Sequence, residues 1–512
     1  MRAIDTLAEL VIEVAGTELS DADAGRLAVA SVRQRASLPA QAELVFRGAD
    51  AELANRLLLL PGLSLSICDA GREEVVFAGD VTAVELDYRP DAEVEIRVRG
   101  YDRLHRLRKR QAVRALLDLD CAALAGELGG AVGLAVDADV ASTPVDRLIQ
   151  WHQSDLELLA ESCHRVGLAF AAEGDRLVLF DGRGRGDPIE VRLGEELVEA
   201  AFEVNGDRAV EAVSATGWDP ATGQRFERRA DSPRSGRTTG TRIAVADLGG
   251  SGERVVAGTV AGVEGQVADL AQAALDVAVA STTVVRGVAT GDPRIRPGAK
   301  VAVTGVAAGL EGEYVVTEAS HTIDSVRGYL VAFGSGGWPE STSADGAAVR
   351  VLPGVVVELD DPDRLGRVRV AFPTLQSTES GWLRVVAPAA GPKMGFVALP
   401  SAGDEVLVLL PNGEPRFGLV IGGLYTADDP PDFGVEDGQV RRYTWRTSHG
   451  EEIALDTERG RVSLRTPNGS RVALGEDGFS IHAATNLDIE APGKTIRIRA
   501  KAIDFVRAAA DD

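Results

Sequence analysis

The sequence predicts a mainly β, multidomain protein, and three observations support this fold class. Short runs of alternating apolar and polar residues recur along most of the chain, turn residues separate these runs, and only two long segments have helical spacing. The chain has 512 residues, which is more than one hydrophobic core can organise. We therefore expect about three or four domains of about 100 to 200 residues each.

Residues 10–99 are the first region with strand periodicity. Segments such as Leu10–Val14 and residues 42–46 alternate apolar and polar side chains, and turns rich in Gly lie between segments. A period of two with this spacing is typical of antiparallel strands. We expect these strands to close into a barrel.

Residues 145–167 have helical spacing, in contrast to the strands before them. Ser154 or Asp155 suits the N-cap, and Gly167 suits the C-terminal stop. We therefore predict a helix whose apolar face is formed by Leu156, Leu159, Cys163 and Val166.

Strand patterns resume at residue 177 and continue to about residue 333, with one helix predicted at residues 263–280. We expect a second barrel in this region. Segments rich in Gly and Ser follow at residues 334–337 and 341–348 and predict a flexible joint. This joint is the clearest domain boundary in the sequence.

The C-terminal region, from residue 446 onwards, has a different regularity. Apolar pairs with a spacing of two residues recur every seven to ten residues, and turn chemistry such as Pro467-Asn468-Gly469 separates most of them. The candidate core residues of these pairs are Ile453 and Leu455, Val462 and Leu464, Val472 and Leu474, Phe479 and Ile481, Leu487 and Ile489, Ile496 and Ile498, and Ile503 and Phe505.

Such short strands do not make a stable core within one chain. Each strand has only two inward positions, so burial of the pairs offsets only part of the conformational entropy lost on ordering. A single chain also leaves its strand edges unpaired. Several chains wound around one axis supply strands to each other's edges and point the pairs inward. We therefore predict a trimeric β-helix or β-prism.

Further motifs lie between Val355 and Tyr425. This stretch begins Val-Val-Val-Glu-Leu-Asp-Asp-Pro-Asp-Arg-Leu-Gly-Arg-Val-Arg-Val-Ala-Phe-Pro and continues with Gly-Trp-Leu-Arg-Val-Val-Ala-Pro-Ala-Ala-Gly, Leu-Pro-Ser-Ala-Gly-Asp-Glu-Val-Leu-Val and Leu-Val-Ile-Gly-Gly-Leu-Tyr. Together these segments resemble the small barrel of the central spike proteins of contractile injection systems, including phage tail spikes and the VgrG spikes of type VI secretion. Residues 38–46, 151–161, 212–220 and 312–321 are similar to other parts of the same family.

The resemblance implies a homotrimer in which the two barrels of each subunit form a six-part hub. This hub would dock on the hexameric inner tube and nucleate tube and baseplate assembly, and the C-terminal needle would puncture the target envelope mechanically. The implied partners are baseplate proteins, a PAAR-like tip protein and, transiently, the target membrane. Contacts to the tip protein are expected at Phe505, Arg507, Asp511 and Asp512.

With this resemblance the chain divides into seven expected segments. They are a first hub β-barrel (1–100), a mixed α/β hub insert (101–200), a second hub β-barrel (201–337), a linker (338–352), an oligonucleotide/oligosaccharide-binding (OB) fold barrel (353–426), a connector (427–445) and a β-helical needle (446–512). Some relatives carry a lysozyme domain between barrel and needle, and the connector is too short to hold one.

Composition limits the function classes. A formal net charge of -24 disfavours binding to nucleic acid or anionic lipid. A membrane-spanning helix needs about 20 apolar residues in a row, and charged residues or Gly interrupt every candidate stretch. Asp5, Glu9 and Glu13 interrupt the apolar core that a signal peptide needs. We therefore expect synthesis in the cytoplasm without a signal peptide, and the resemblance implies incorporation into an injection particle that is cytoplasmic or released from the cell.

Two acidic motifs resemble functional sites, but their sequence favours structural interpretations. The Asp360-Asp361-Pro362-Asp363 motif is expected to form a turn, because it lacks the ligand spacing of a calcium loop. Asp428 and Asp429 are adjacent, so on an extended segment their side chains point to opposite sides, which opposes an acid and base pair. We predict no catalytic residue, cofactor or enzyme activity.

Other motifs also have structural interpretations. Residues 182–186 imitate a phosphate loop in composition, but we expect a loop between strands because no helix follows. The three cysteines, at 68, 121 and 163, are far apart and are expected to be reduced and buried. His449 and His482 could meet at a threefold axis and form a metal site there, although packing is the favoured interpretation.

Two other functions remain as alternatives. A receptor-binding trimeric fibre or adhesin would use the same needle, but it predicts a receptor domain at the tip and no hub. A spike with cell-wall hydrolase activity predicts an added catalytic domain, and we identify none in the sequence.

Overall fold

The computed structural model describes residues 10–69, 74–88, 94–219, 224–241, 243–249, 252–338, 349–411, 415–427, 430–431, 434–476 and 478–506. The chain divides into two compact units, Met1–Leu424 and Tyr425–Asp512. Strands are the main element in both units, which confirms the predicted mainly β class. Within the described ranges, no helix combines the length and the apolar character needed to cross a bilayer.

Residues 10–102 form strands with alternating burial and two short helices. The elements are β1 (Leu10–Val14), β2 (Thr17–Glu18), α1 (Asp21–Ala24), β3 (Leu27–Arg35), β4 (Gln41–Arg47), α2 (Ala51–Leu57), β5 (Ser64–Asp69), β6 (Glu74–Asp87) and β7 (Glu95–Asp102). In β4, Ala42, Leu44 and Phe46 are buried and the residues between them are half-buried. This period of two is the one that the sequence predicted.

Residues 104–180 form the mixed region. The elements are α3 (Leu104–Arg108), β8 (Arg114–Leu119), α4 (Cys121–Gly130), β9 (Ala135–Ala138), β10 (Val145–Gln150), α5 (Asp155–Arg165), β11 (Ala169–Glu173) and β12 (Arg176–Phe180). Helix α5 starts at a capping box, in which Ser154 accepts from the Glu157 amide and the Glu157 carboxylate accepts from the Ser154 amide.

The N-cap predicted at Ser154 or Asp155 is confirmed at Ser154, but residues 145–153, which were included in the helical segment, are not helical. Residues Val145–Gln150 form β10, which pairs antiparallel with β8. The capping box requires extended backbone at Ser154, where φ is -66° and ψ is 163°, so the helix cannot include the residues before it. The helix stop is as predicted, because Gly167 follows with a φ of 74°.

Residues 185–334 contain the second set of strands and the predicted long helix. The elements are β13 (Arg185–Arg192), β14 (Leu197–Val204), β15 (Ala212–Asp219), β16 (Gln224–Ala230), a 3-10 helix (Val245–Leu248), β17 (Glu253–Val260), α6 (Glu264–Ala280), β18 (Thr283–Thr290), β19 (Ala299–Thr304), β20 (Gly312–Val315), β21 (Glu318–Asp324) and β22 (Gly328–Gly334). The bounds of α6 agree with the predicted helix at residues 263–280.

Strands from both regions join in one sheet of eleven strands. Its order is β14-β18-β22-β21-β3-β4-β7-β6-β5-β1-β2. The junction is the antiparallel pair β3 and β21, where Val32 lies opposite His321. Two apolar cores pack along this sheet, one around Phe46 and Ile67 and one around Tyr314 and Phe333. The two regions predicted as separate barrels therefore share a continuous sheet.

Residues 350–424 form a small closed barrel. Its strands are β23 (Arg350–Glu358), β24 (Arg367–Phe372), β25 (Thr378–Glu379), β26 (Leu383–Val385), β27 (Glu405–Leu410) and β28 (Leu419–Leu424), with short 3-10 helices at Pro373–Leu375 and Pro415–Phe417. The order β23-β27-β28-β26-β24 closes because β23 also pairs with β24. The core of the barrel includes Val370, Phe372 and Val408, each fully buried.

The barrel packs against the mixed region. Val113 and Trp151 from that region contact the barrel core, and the Arg350 guanidinium lies 4.7 Å from the centre of the Trp151 ring. Arg147 Nη1 donates to the Glu379 carbonyl at 3.1 Å. The barrel is thus fixed to the rest of the first unit by side-chain packing.

The second unit contains short strands in sequence order. They are β29 (Val435–Glu436), β30 (Gln439–Val440), β31 (Arg442–Arg446), β32 (Glu452–Asp456), β33 (Arg461–Arg465), β34 (Arg471–Gly475) and β35 (Gly478–His482). Strands β31 to β35 form a five-stranded antiparallel sheet in which each strand pairs with the next. We call this the C-terminal sheet. Residues 483–506 contain no strand.

Candidate functional site

The candidate site is one face of the C-terminal sheet. Each of β32 to β35 carries one predicted apolar pair, and the two members of a pair share a face because they are two residues apart. Tyr443 and Trp445 on β31 have the same spacing and add a fifth pair, although they lie in the segment predicted as the connector (427–445). The alternation of apolar and polar residues at Tyr443, Thr444 and Trp445 is the sequence signal that could have predicted this pair.

The register of the strands aligns these pairs into two rows that cross all five strands. Ile453 lies opposite Trp445 and Leu464, and Val462 lies opposite Leu455 and Leu474. Side chains directly opposite each other in such a sheet have Cβ atoms about 4.5 to 5.5 Å apart. One row is Tyr443, Leu455, Val462, Leu474 and Phe479, and the other is Trp445, Ile453, Leu464, Val472 and Ile481. We call the two rows together the apolar face.

The apolar face is exposed within a single chain. Eight of its ten side chains are exposed, from 44% for Val462 to 63% for Phe479, and Ile453 and Val472 are half-buried. Contiguous apolar surface of this kind marks an interaction site in a soluble protein. The face therefore has the composition of a core without covering atoms from its own chain.

The opposite face of the same sheet is polar. Ala454 and Ala473 lie at its centre, and charged residues surround them. Glu452 accepts a hydrogen bond from Arg446 Nε at 2.9 Å and forms an ion pair with Arg465 at 3.4 Å. The C-terminal sheet is thus amphipathic, and its charged face suits solvent.

The remaining three predicted pairs lie beyond the last strand. Leu487, Ile489, Ile496, Ile498, Ile503 and Phe505 are all exposed, and Phe505 is 92% exposed. The spacing of two continues through them, but residues 483–506 make no strand pairs within the chain. Of the candidate contacts to a tip protein, Phe505 is described, whereas Arg507, Asp511 and Asp512 lie outside the described residues.

Asp361 and the Gly-rich segment near residue 182 have structural roles. Asp361 is buried and accepts from Arg367 Nη2 at 2.6 Å and from the Leu365 amide at 2.8 Å, so it closes a loop, and the Arg367 guanidinium lowers the pKa of its carboxyl. Residues 181–184 connect β12 to β13, so the predicted loop between strands is present, but Arg185 and Gly186 already belong to β13. Asp428 and Asp429 lie outside the described residues.

Cysteines and histidines do not form a metal centre among the residues that the structure describes, where no group of three or more potential ligands occurs. Cys121 and Cys163 are buried and Cys68 is half-buried, all as free thiols. His482 ends β35 and His449 lies in the turn before β32, and both are exposed.

Models of two protein families match parts of the chain. Residues 352–425 match the model of the type VI secretion system/phage-baseplate injector OB domain, which is the closed barrel described above. Residues 5–325 match the model of the Alg8 N-terminal domain. The second match spans more than half of the chain and includes the whole eleven-stranded sheet apart from its last strand.

Curated relatives match shorter parts. The type VI secretion system spike protein VgrG3 of Vibrio cholerae is 29% identical over 110 residues, which are 20% of this chain and 11% of that protein. The actin cross-linking toxin VgrG1 of Vibrio cholerae is 29% identical over 129 residues, 23% of this chain and 12% of that protein. The chain thus spans only about a tenth of the length of these relatives.

Solved structures share the fold over a much larger part. A chain of the Francisella PdpA-VgrG complex aligns with a TM-score of 0.57 at 8% identity and covers 93% of this chain and 88% of its own length. The E. coli c3393 protein, described as a component of the type VI secretion system with similarity to the phage T4 tail proteins gp27 and gp5, aligns with a TM-score of 0.51 at 13% identity. It covers 78% of this chain and 96% of its own length.

Proposed function

Because the chain belongs to the family of the Alg8 N-terminal domain and is a VgrG-like spike protein, we propose that it is the homotrimeric central spike of a contractile injection system. In this role the first unit is the hub at the front of the inner tube, and the second unit is the needle. The spike punctures the target envelope mechanically and nucleates assembly of the tube and baseplate.

The observation that carries the trimer is the apolar face. Burial of an apolar side chain contributes about 1.5 to 3 kcal/mol, and the single chain leaves most of this face in water. Three copies that turn these faces toward one axis bury all ten residues of each chain and leave the charged faces outside. The same arrangement gives residues 483–506 strand partners from other chains.

The hub proposal has support in the first unit. One chain contains two β cores on either side of the β3 and β21 junction, so three chains present six similar halves. A ring of six halves suits a hexameric inner tube by symmetry. We propose baseplate proteins as further partners of the hub and a PAAR-like tip protein at the C-terminal end of the needle, with Phe505, Arg507, Asp511 and Asp512 as its contacts.

We propose a mechanical rather than an enzymatic role. The matched relative VgrG3 is named a spike protein, and the described contacts of Asp361 and Glu452 are those of structural ion pairs. An assay of peptidoglycan hydrolysis tests this point. Turnover that is lost on mutation of one carboxylate would replace the mechanical role by the hydrolase alternative.

Native mass measurement of the purified chain tests the trimer. We expect a trimer for the wild type and a monomer for Ile481→Asp, because this change places a carboxylate in the middle of an apolar row. Ser480→Asp is the matched control, since Ser480 is the neighbouring exposed residue with its side chain on the polar face. A wild-type chain that stays monomeric at micromolar concentration would overturn the proposal.

A further inference from the structure

A second exposed apolar surface lies in the OB barrel. The segment between β26 and β27 leaves the barrel at Val386 and returns at Ser401, and we call residues 386–400 the arm. Almost every residue of the arm is exposed, and its large apolar side chains are not part of the barrel core. They are Val386 (55% exposed), Met394 (66%), Phe396 (46%), Val397 (78%) and Leu399 (42%).

The arm has a defined shape that is held by local backbone contacts. Gly391 and Met394 exchange two amide to carbonyl hydrogen bonds of 3.1 Å around the turn Pro392-Lys393, and the Phe396 amide donates to the Pro388 carbonyl at 3.0 Å. Two residues other than glycine, Ala389 (φ 55°) and Lys393 (φ 59°), adopt left-handed backbone within this turn region. Such strained conformations persist where surrounding contacts hold them, and they cluster at functional sites.

The charge of the arm is the opposite of the charge of the chain. The chain has 78 acidic residues in 512, about one in every six or seven, yet residues 380–403 contain none and include Arg384 and Lys393. This is the longest run without Asp or Glu in the sequence. Copies of a chain with a net charge of -24 repel each other over most of their surfaces, so an acid-free apolar arm is where a second copy can approach.

We propose that the arm packs against the next copy of this chain and forms a second interface of the homotrimer, separate from the apolar face of the C-terminal sheet. This inference rests on the proposed trimer. A threefold ring requires a heterologous contact, in which a surface of one subunit meets a different surface of the next. Apolar contact by Met394 and Val397, with Lys393 against the acidic surface of the neighbour, meets that requirement.

The test uses the full chain and a single charge at the arm. We expect Val397→Glu to raise the concentration at which the trimer dissociates by about tenfold or more in sedimentation equilibrium. Lys393→Glu, at the tip of the arm, should act in the same direction. Val326→Glu is the matched control, because Val326 is 86% exposed in the turn between β21 and β22 and should leave dissociation unchanged.

The outcomes separate this inference from the proposed function. A wild-type monomer would remove the trimer itself and the arm interface with it. A stable wild-type trimer whose dissociation is unchanged by both Val397→Glu and Lys393→Glu would overturn the arm interface alone. Misfolding of either variant would appear as a change in circular dichroism. We expect the spectra of both variants to match the wild type, because the side chains of Val397 and Lys393 are exposed.

Discussion

The OB barrel and the C-terminal sheet are built from strands with the same alternating pattern, yet they differ in where their apolar side chains go. In the barrel, β23 pairs with β24 and closes the sheet, so that Val370, Phe372 and Val408 are fully buried. The C-terminal sheet stays open, and Phe479 is 63% exposed. The difference teaches that strand content alone does not decide whether apolar side chains are buried, because burial depends on whether the sheet closes within the chain.

The largest expected effect contrasts two phenylalanines. Phe372→Ala should lower the free energy of unfolding of the first unit by about 3 to 5 kcal/mol at every protein concentration, because it leaves a cavity in a closed core. Phe479→Ala should leave the dissociated chain unchanged and weaken the assembly. Chemical denaturation at two protein concentrations distinguishes these results. An equal loss for Phe479→Ala in the dissociated chain would mean that the C-terminal sheet has a core of its own.

A smaller effect concerns pH and belongs to the first unit. Asp102 is buried, and its oxygens accept from the Ala40 amide at 2.7 Å and the Leu104 amide at 2.9 Å. Burial raises the pKa of the Asp102 carboxyl to about 7 from an ordinary value of 3.8. Between these two values the folded state holds more protons than the unfolded state. This group therefore lowers the free energy of unfolding as pH rises through that window, by up to about 1.4 kcal/mol per pH unit.

The measurement is the difference in unfolding free energy between the wild type and Asp102→Asn at pH 4.5 and pH 7. Burial lowers the pKa of His164 and His321 to about 4, and these groups contribute a slope of opposite sign in both proteins. We expect the difference in unfolding free energy of the first unit between the wild type and Asp102→Asn to change between pH 4.5 and pH 7. The difference between the two proteins in assembly of the C-terminal sheet should not change with pH. A difference that is independent of pH would contradict the raised pKa.

Sequence patterns predict features that short segments determine. The Ser154 cap, the α6 helix and the paired residues of β32 to β35 were all visible, because each depends on residues a few positions apart. The β3 and β21 junction joins residues nearly 300 positions apart, and no local pattern specifies it. Strand β10 was missed for the same reason. Its partner β8 lies about 30 residues earlier, and pairing with β8 favours a strand over a helix for Val145–Gln150.

The sequence predicted most residues of the candidate site, but it did not predict where the sheet that carries them begins and ends. The spacing of two identified the apolar pairs from Ile453 onwards, but it did not indicate that β31 adds Tyr443 and Trp445. It also did not distinguish the four pairs that form strands within the chain from the three that do not. That distinction depends on which segments find a neighbouring strand within the chain, and side-chain periodicity carries no information on this point.

The smallest expected effect tests which face of the C-terminal sheet is buried in the proposed trimer. Glu452 is the centre of the ion pairs with Arg446 and Arg465 on the polar face, so Glu452→Gln should cost less than about 1 kcal/mol, and this cost should shrink in high salt. Glu458→Gln, an exposed carboxylate in the turn after β32, is the control and should change the midpoint of thermal unfolding less. If Glu452→Gln dissociated the trimer as Ile481→Asp is expected to do, the charged face would be the buried one. The two apolar rows would then face solvent, and the contrast with the closed barrel would have to be explained by a partner other than a second copy.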